Sequence, residues 1–425
     1  MRHLILLALL VLTYFTVNYM YAAVIKSIWL EGLVPGRAYE YEAVAGLYLV
    51  TIPSIIAIAL SVPFGILADR FGKVRLIILS GLLMGAGSII VGLATGFPEL
   101  ILGFTLFAIG IQGIYPPLMG SIADTTPESR RGLGYAAYYA SSVIGYPLGL
   151  IAGLTLAWRT GYTLLGLLTI ALTVIVSVSL SRIYKSIKHV AVTGGGGFNL
   201  RAAGRVVSKP AVIALLVLIF FWGMPWGAVT RYAVNFMEDA WGLSKATASL
   251  ILTLASISII IGHITGGALA DRRVRAGDQL GRVKVSILGV GVGLAVMLSF
   301  VLYPYPYGLE APTALLPPAL LALAGMLFTT LAYPNISSVL SEVVEREYRA
   351  TVFSVFNILN TLGWGVGPTL YGWLKESLVE HWGLSIPDAS RYSIATVLLA
   401  WLIPLVIWVS MLKIYPRSRV VEEAG

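Results

Sequence analysis

The chain has 425 residues, of which 58% are hydrophobic and 12% charged, with mean hydropathy +0.86 and a formal net charge of +9. Soluble domains carry about 25% charge, so a water-soluble globule is excluded. The absence of cysteine excludes disulfides, thiolate catalysis and cysteine-ligated metals. The basic excess reads as cytoplasmic loops of a membrane protein rather than a nucleic-acid surface.

Apolar runs of about 20 residues recur along the whole length, the signature of an all-α polytopic membrane protein. A β-barrel would show alternating segments of about 10 residues, and these are absent. The start, Met1-Arg2-His3 followed by Leu4 to Leu12, has the look of a leader. Tyr21-Ala22-Ala23 offers no convincing cleavage site, so this run is expected to stay as the first span. Twelve spans follow, at 4–26, 43–67, 74–95, 99–122, 132–156, 160–182, 210–236, 246–270, 283–303, 313–338, 349–374 and 390–414. Short connections such as Gly96-Phe97-Pro98 make neighbouring spans antiparallel. On one side of this arrangement lie 22 of the 29 Lys and Arg residues. That side is the cytoplasm, which places both termini there and the protein in the cell membrane. The longest cytoplasmic connection, 183–209, is basic and contains Gly194 to Gly197, a flexible hinge. It divides the chain into six-span halves, 1–182 and 210–425.

A charged turn follows span two: Gly65-Ile-Leu-Ala-Asp69-Arg70-Phe-Gly72-Lys73-Val-Arg75. A second copy, Gly267-Ala-Leu-Ala-Asp271-Arg272, follows span eight at an offset of 202. At an offset of 218, Tyr115-Pro116 matches Tyr333-Pro334, Asp124 matches Glu342 and Arg131 matches Arg349. The same part is built twice. Gly65 and Gly72 permit close helix approach and a tight reversal. Asp69 sits at the membrane boundary, where an unpaired charge is costly. Lys73 and Arg75 can pair with Asp124, and Arg131 can reach the same cluster.

Six plus six spans, a long middle loop and Gly65-x-x-Ala68-Asp69-Arg70-x-Gly72-Lys73 after span two resemble the major facilitator superfamily over nearly the whole chain. The second basic residue departs from the family pattern, lying at Arg75 rather than directly after Lys73. The resemblance implies alternating access between two pseudo-symmetric halves. It also implies that Asp69 caps the start of span eleven at Arg349, and that the turns form a cytoplasmic latch. The latch set is Gly65, Asp69, Arg70, Gly72, Lys73, Arg75, Asp124 and Arg131, with Gly267, Asp271, Arg272, Arg282, Glu342 and Arg349 in the second copy.

In that architecture spans one, four, seven and ten line the pathway, helped by two, five, eight and eleven. The candidate cargo contacts are Tyr14, Asn18, Gln112, Tyr115, Tyr139, Trp222, Trp226, Arg231, Tyr333, Asn335, Asn357, Asn360 and Trp364. Tyr19, Tyr138, Tyr146 and Tyr232 belong to the same polar lining. The set is aromatic and amide-rich, suited to an amphipathic organic solute or a sugar. Helical packing competes for every single Tyr or Trp. Arg231, about 30 Å along its span from Pro210, either snorkels to the outer interface or favours an anionic cargo. His263 is the candidate proton carrier, since no Asp or Glu lies in the middle of a span and Glu42 only edges span two. The drug-exporting branch of the family has an arginine where this chain has Ile109 ahead of Gln112-Gly113. Its span-five signature is blurred here to Gly145-Tyr146-Pro147-Leu148-Gly149.

No metalloprotease, hydrolase-elbow or Walker pattern occurs, and His3, His189, His263 and His381 are scattered, so neither an enzyme nor a metal or cofactor site is expected. The expected function is secondary transport of a small organic solute, as export of an amphipathic compound. The alternatives are uptake of a sugar or organic anion by facilitation or symport, and a non-transporting receptor on the same scaffold. The expected partners are the solute, the bilayer and a coupling proton, with the chain acting as a monomer.

Overall fold

Backbone inside a bilayer must satisfy its own hydrogen bonds, and helices do this within one segment. The computed structural model describes residues 2–125, 131–186, 208–345 and 348–420. Within them, the side chains of 2–4, 62, 65, 66, 68–70, 116, 120, 123–125, 131–139, 184–186, 350 and 351 are outside the description. Among the described residues the regular structure is helical. It comprises α1 (Arg2–Leu30), α2 (Tyr41–Ala45), a π-helical turn (Gly46–Thr51), α3 (Ile52–Phe71), α4 (Lys73–Leu93), α5 (Phe97–Thr125), α6 (Arg131–Thr155) and α7 (Trp158–Ser186). After the hinge come α8 (Pro210–Trp241), α9 (Lys245–Arg275), α10 (Gly281–Val301), α11 (Pro312–Thr330), α12 (Tyr333–Val343), α13 (Arg349–Glu380), α14 (Ile386–Leu398) and α15 (Leu402–Ser418). Gly194 to Gly197 lie outside the described residues.

Ten stretches are long and apolar enough to cross a membrane, and Ala140–Thr155 is a shorter apolar helix. The expected eleventh span is α13, which is 32 residues long but diluted by polar positions such as Asn357 and Asn360. Three expected single runs are interrupted, each at a proline. The π turn of span two immediately precedes Pro53, which offers no N–H to the Leu49 carbonyl. Span ten breaks into α11 and α12 because Pro334 cannot bond the Thr330 carbonyl. Span twelve passes through a 3₁₀ turn at Leu399–Trp401, one helical turn ahead of Pro404. Several helices also run past their expected ends, among them α8, which continues to Trp241, and α13, which continues to Glu380.

The chain forms two compact units by contact: Met1–Thr193 with Thr230–Asn235, and Gly194–Val229 with Phe236–Gly425. In the first unit α1 packs on α6 and α7, α4 on α5 and α7, and α3 on α5. Gly145, Gly149 and Gly153 recur once per turn on α6 and form the groove that α1 occupies. A Cβ at Gly149 would stand 2.8 Å from the Met20 nitrogen and the Thr16 carbonyl oxygen. The span-five glycines are therefore close-packing positions. At the loop end of this unit, Arg159 reaches Glu31 (3.0 Å) and the Ala94 carbonyl (2.5 Å), while the Trp158 indole donates to Glu31 (2.6 Å).

In the second unit α10 packs on α11 and α15, and α9 on α11. Helices α8 and α13 meet through four glycines: Gly223 and Gly227 lie against the Trp364 backbone, Gly363 against the Phe220 carbonyl and Gly367 against the Met224 carbonyl. The pairings repeat those of the first unit, span for span. Lys375, completely buried, pairs with Asp239 at 2.7 Å and ties the far ends of these two helices together.

Candidate functional site

The second copy of the charged turn is a closed cluster within its unit. Asp271 ends α9, Arg282 opens α10 and Glu342 ends α12. The Arg282 guanidinium bridges both acids, at 2.9 Å to Asp271 and 3.1 Å to Glu342. The Tyr415 hydroxyl also hydrogen-bonds Glu342, and the Val420 N–H donates to the Glu342 backbone carbonyl (2.9 Å). Arg349 donates to the carbonyls of Ser341 (3.0 Å) and Val344 (3.3 Å), which steadies the chain that carries Glu342. Arg272 is exposed in the last turn of α9. Beside it, Lys284 hydrogen-bonds Asp278 (3.0 Å) and holds its carboxyl below the usual carboxylate range. Lys209 does the same to Glu345. Gly267 meets only Pro334 among its neighbours, at 3.9 Å from an added Cβ, so its role is not tight packing.

In the first copy, Gly72 caps α4 with φ 90° and ψ 143°. This conformation is open essentially to glycine alone. Lys73 is half-buried and Arg75 exposed, both in the first turn of α4. Basic residues there oppose the helix dipole, so they serve something other than helix stability. The side chains of Asp69, Arg70, Asp124 and Arg131, and Gly65, lie outside the described residues.

The first unit also contains the best-defined polar group at membrane depth. Arg231 sends one terminal nitrogen to the Asn18 carbonyl (2.5 Å) and the other to the Asn18 side-chain oxygen (2.7 Å). Its guanidinium lies 5.1 Å from the centre of the Tyr21 ring, a cation–π distance. The guanidinium is thus held by α1 on its own unit. Around it the Tyr21 and Tyr232 hydroxyls meet at 3.1 Å, and Tyr232 donates to the Glu42 backbone carbonyl (2.8 Å). Asn235 donates to the Tyr41 hydroxyl (2.6 Å), which faces the Glu42 carboxylate at 3.4 Å. Glu42 is wholly buried. Sequence reading set it at the edge of a span, but the helix begins at Tyr41 and brings it inside.

The other candidates divide by environment. Tyr14 is buried beside Phe15 (ring centres 4.7 Å apart). Trp222 and Trp226 are buried against Trp401, at 5.8 and 5.9 Å, and the Trp401 indole donates to the Trp222 carbonyl. These two tryptophans are packing elements of their unit. Trp364 contributes its backbone to the glycine contact described above. Gln112 and Tyr115 are half-buried on α5, and Asn357 and Asn360 on α13. Asn335 is fully buried at the start of α12 and donates to the Leu331 carbonyl (3.1 Å), filling the helix break. His263 is half-buried with its ring 5.4 Å from Tyr333. The Tyr139 side chain lies outside the described residues. Sequence reading missed the Lys375–Asp239 pair, because both residues fell just beyond the expected span ends.

The family model described as Major Facilitator Superfamily matches residues 6–368. The chain is 21% identical over 334 residues to a probable sulfoacetate transporter of Cupriavidus necator, covering 75% of each chain. It is 25% identical over 284 residues to an MFS-type efflux pump of Mycolicibacterium smegmatis, covering 65% of this chain and 62% of that one. Among solved structures, it resembles a bacterial homologue of the human lysosomal transporter Spinster. There the TM-score is 0.79 at 17% identity, covering 99% of this chain and 98% of that one. The duplicated turn, the repeated helix pairings and the match over residues 6–368 lead to one conclusion: the chain belongs to the major facilitator superfamily of transporters.

Proposed function

We propose that this protein is a secondary transporter that moves a small organic anion across the cell membrane by alternating access, with Arg231 as the group that recognises the charge. The observation that carries the reading is the Arg231 guanidinium, oriented by both oxygens of Asn18 and seated over Tyr21. An ionisable side chain at membrane depth is costly and is kept where it does work on a solute or ion. The probable sulfoacetate transporter among the relatives supports an anionic cargo but not its charge, since sulfoacetate is a dianion. Both termini lie in the cytoplasm, the working unit is a monomer, and His263 is the candidate carrier of a coupling proton. The aromatic neighbourhood and the efflux-pump relative favour a second reading, export of an amphipathic compound.

Flux of labelled organic acids into proteoliposomes tests the choice. Charge-assisted hydrogen bonds contribute about 1.5–3 kcal/mol, so Arg231→Gln should lower anion flux by roughly 10- to 100-fold. Anion flux unchanged in Arg231→Gln would refute the first reading. Flux of a neutral amphipathic compound, indifferent to Arg231 and driven by an inward proton gradient, would establish the second. The charged turns act in the same proposal as a conformational latch. Asp69→Asn should slow transport while solute binding and expression stay near wild type, because the latch biases an equilibrium between states. Normal flux in that variant would remove the latch role.

A further inference from the structure

We propose that the Tyr146 hydroxyl is a second donor to the cargo, bonding the charged group beside Arg231, and that the site accepts a monoanion carried on an aromatic body. This rests on the organic-anion reading above.

Tyr146 is 3% exposed, and its hydroxyl has no hydrogen-bond partner among the described residues. Leaving a buried hydroxyl unsatisfied is expensive, so its persistence points to a partner that arrives with the ligand. The hydroxyl cannot easily turn away. Gly145 and Gly149 flank the residue and bring α6 against the backbone of Phe15, Thr16 and Met20. The Tyr146 ring then stands edge-on to Tyr19, with centres 5.0 Å apart. Phe15, Asn18 and Tyr19 form the partly exposed face of α1 at this level. A solute lying on that face would meet Arg231 and Tyr146 together.

The charge of the site narrows the cargo. Arg231 is held by Asn18 over the Tyr21 ring, and Tyr146 packs on Tyr19, the residue next to Asn18 on α1. Asn18 occupies two of the five N–H donors of the guanidinium, which leaves others for an oxyanion. One positive charge balances one negative charge. A dianion would leave its second charge uncompensated in a low-dielectric site, and the neighbouring hydroxyl network already holds the Glu42 carboxylate against Tyr41. Phe15 and Tyr19, stacked at 6.0 Å, offer flat apolar surface for a ring. Tyr162 also has a buried hydroxyl with no partner among the described residues, but its ring neighbour Phe104 is buried whereas Tyr19 is not. It therefore serves as the internal control.

The test is titration of the purified full chain with benzoate, terephthalate and benzamide, read by calorimetry, alongside the melting temperature of the ligand-free protein. Wild type should bind benzoate more tightly than the dianion or the neutral amide. Tyr146→Phe should weaken benzoate about tenfold, equivalent to about 1.4 kcal/mol, without lowering the ligand-free melting temperature. Tyr162→Phe should leave benzoate affinity unchanged. Benzoate affinity in Tyr146→Phe equal to wild type would overturn the inference, as would a fall in its ligand-free melting temperature or an effect confined to Tyr162→Phe. Terephthalate binding as well as benzoate would overturn the monoanion claim. If Arg231→Gln abolishes benzoate binding and Tyr146→Phe does not weaken it, only the Tyr146 role fails. If Arg231→Gln binds benzoate normally, or wild type binds none at millimolar concentration, the organic-anion reading falls with it.

Discussion

Gly149→Ala adds one methyl group where α6 comes closest to the backbone of α1. The new Cβ would stand 2.8 Å from the Met20 nitrogen, the Thr16 carbonyl oxygen and the Tyr19 carbonyl carbon, all backbone atoms. Ordinary contact begins at 3.4 Å, so α1 must retreat by about 0.6 Å, a shift no rotamer change can absorb. Overpacking of this kind costs about 1–3 kcal/mol, partly offset by about 1 kcal/mol of helix propensity gained on replacing glycine. Because all three clashing atoms are backbone, the upper half of that range applies, and the net loss should be about 1–2 kcal/mol. Gly291→Ala is the matched control. Its Cβ would meet only Leu405, at 3.7 Å, so it should be neutral or stabilising by up to about 1 kcal/mol. Apparent melting temperatures in one detergent should rank Gly291→Ala at or above wild type, and Gly149→Ala several degrees below both. Because α1 carries Asn18, the same retreat should loosen the Arg231 anchor and weaken anion binding. A Gly149→Ala protein as stable as wild type, or a Gly291→Ala protein equally damaged, would refute the packing argument.

Two further perturbations probe the charged contacts of the second unit. Lys375→Met leaves Asp239 charged and nearly buried, which should cost about 3–5 kcal/mol. The double variant Lys375→Met with Asp239→Leu should recover much of that loss, and a double variant no better than the single one would refute pairing as the cause. Arg282→Gln leaves Asp271 and Glu342 unneutralised, but Asp271 is half-exposed. The expected loss is therefore smaller, about 1–2 kcal/mol, and it should shrink in high salt. A salt-independent loss would point to packing by the arginine stem instead.

How much of this was legible in advance depended on the range of the physics involved. Apolar runs are local, so the helices and their membrane placement could be read residue by residue. The duplicated turn and the repeated Tyr-Pro, acid and arginine spacings carried the internal symmetry, and Asp271, Arg282 and Glu342 do come together. Helix ends were less legible. Lys375 and Asp239 look like loop charges until the helices are seen to continue past them, and Glu42 looks peripheral until its helix is seen to start at Tyr41. The prolines at 53, 334 and 404 announced missing donors, but whether a proline breaks a helix depends on what its neighbours supply. Pro147 and Pro225 remain inside continuous helices.

Composition, periodicity and the repeated turn thus determined the class of the molecule: a helical membrane transporter built from a duplicated part. The surroundings of individual side chains were decided only in three dimensions. Trp222 and Trp226 and Tyr146 are indistinguishable by residue type as large aromatics in apolar runs. Packing puts the two tryptophans on Trp401, and the glycine groove of α6 sets Tyr146 beside Tyr19 with its hydroxyl unpartnered among the described residues. Arg231 could have pointed to the interface or inward, and the partner that holds it, Asn18, lies 213 residues earlier in the chain. Contacts at that separation are made by helix packing, which no local pattern encodes.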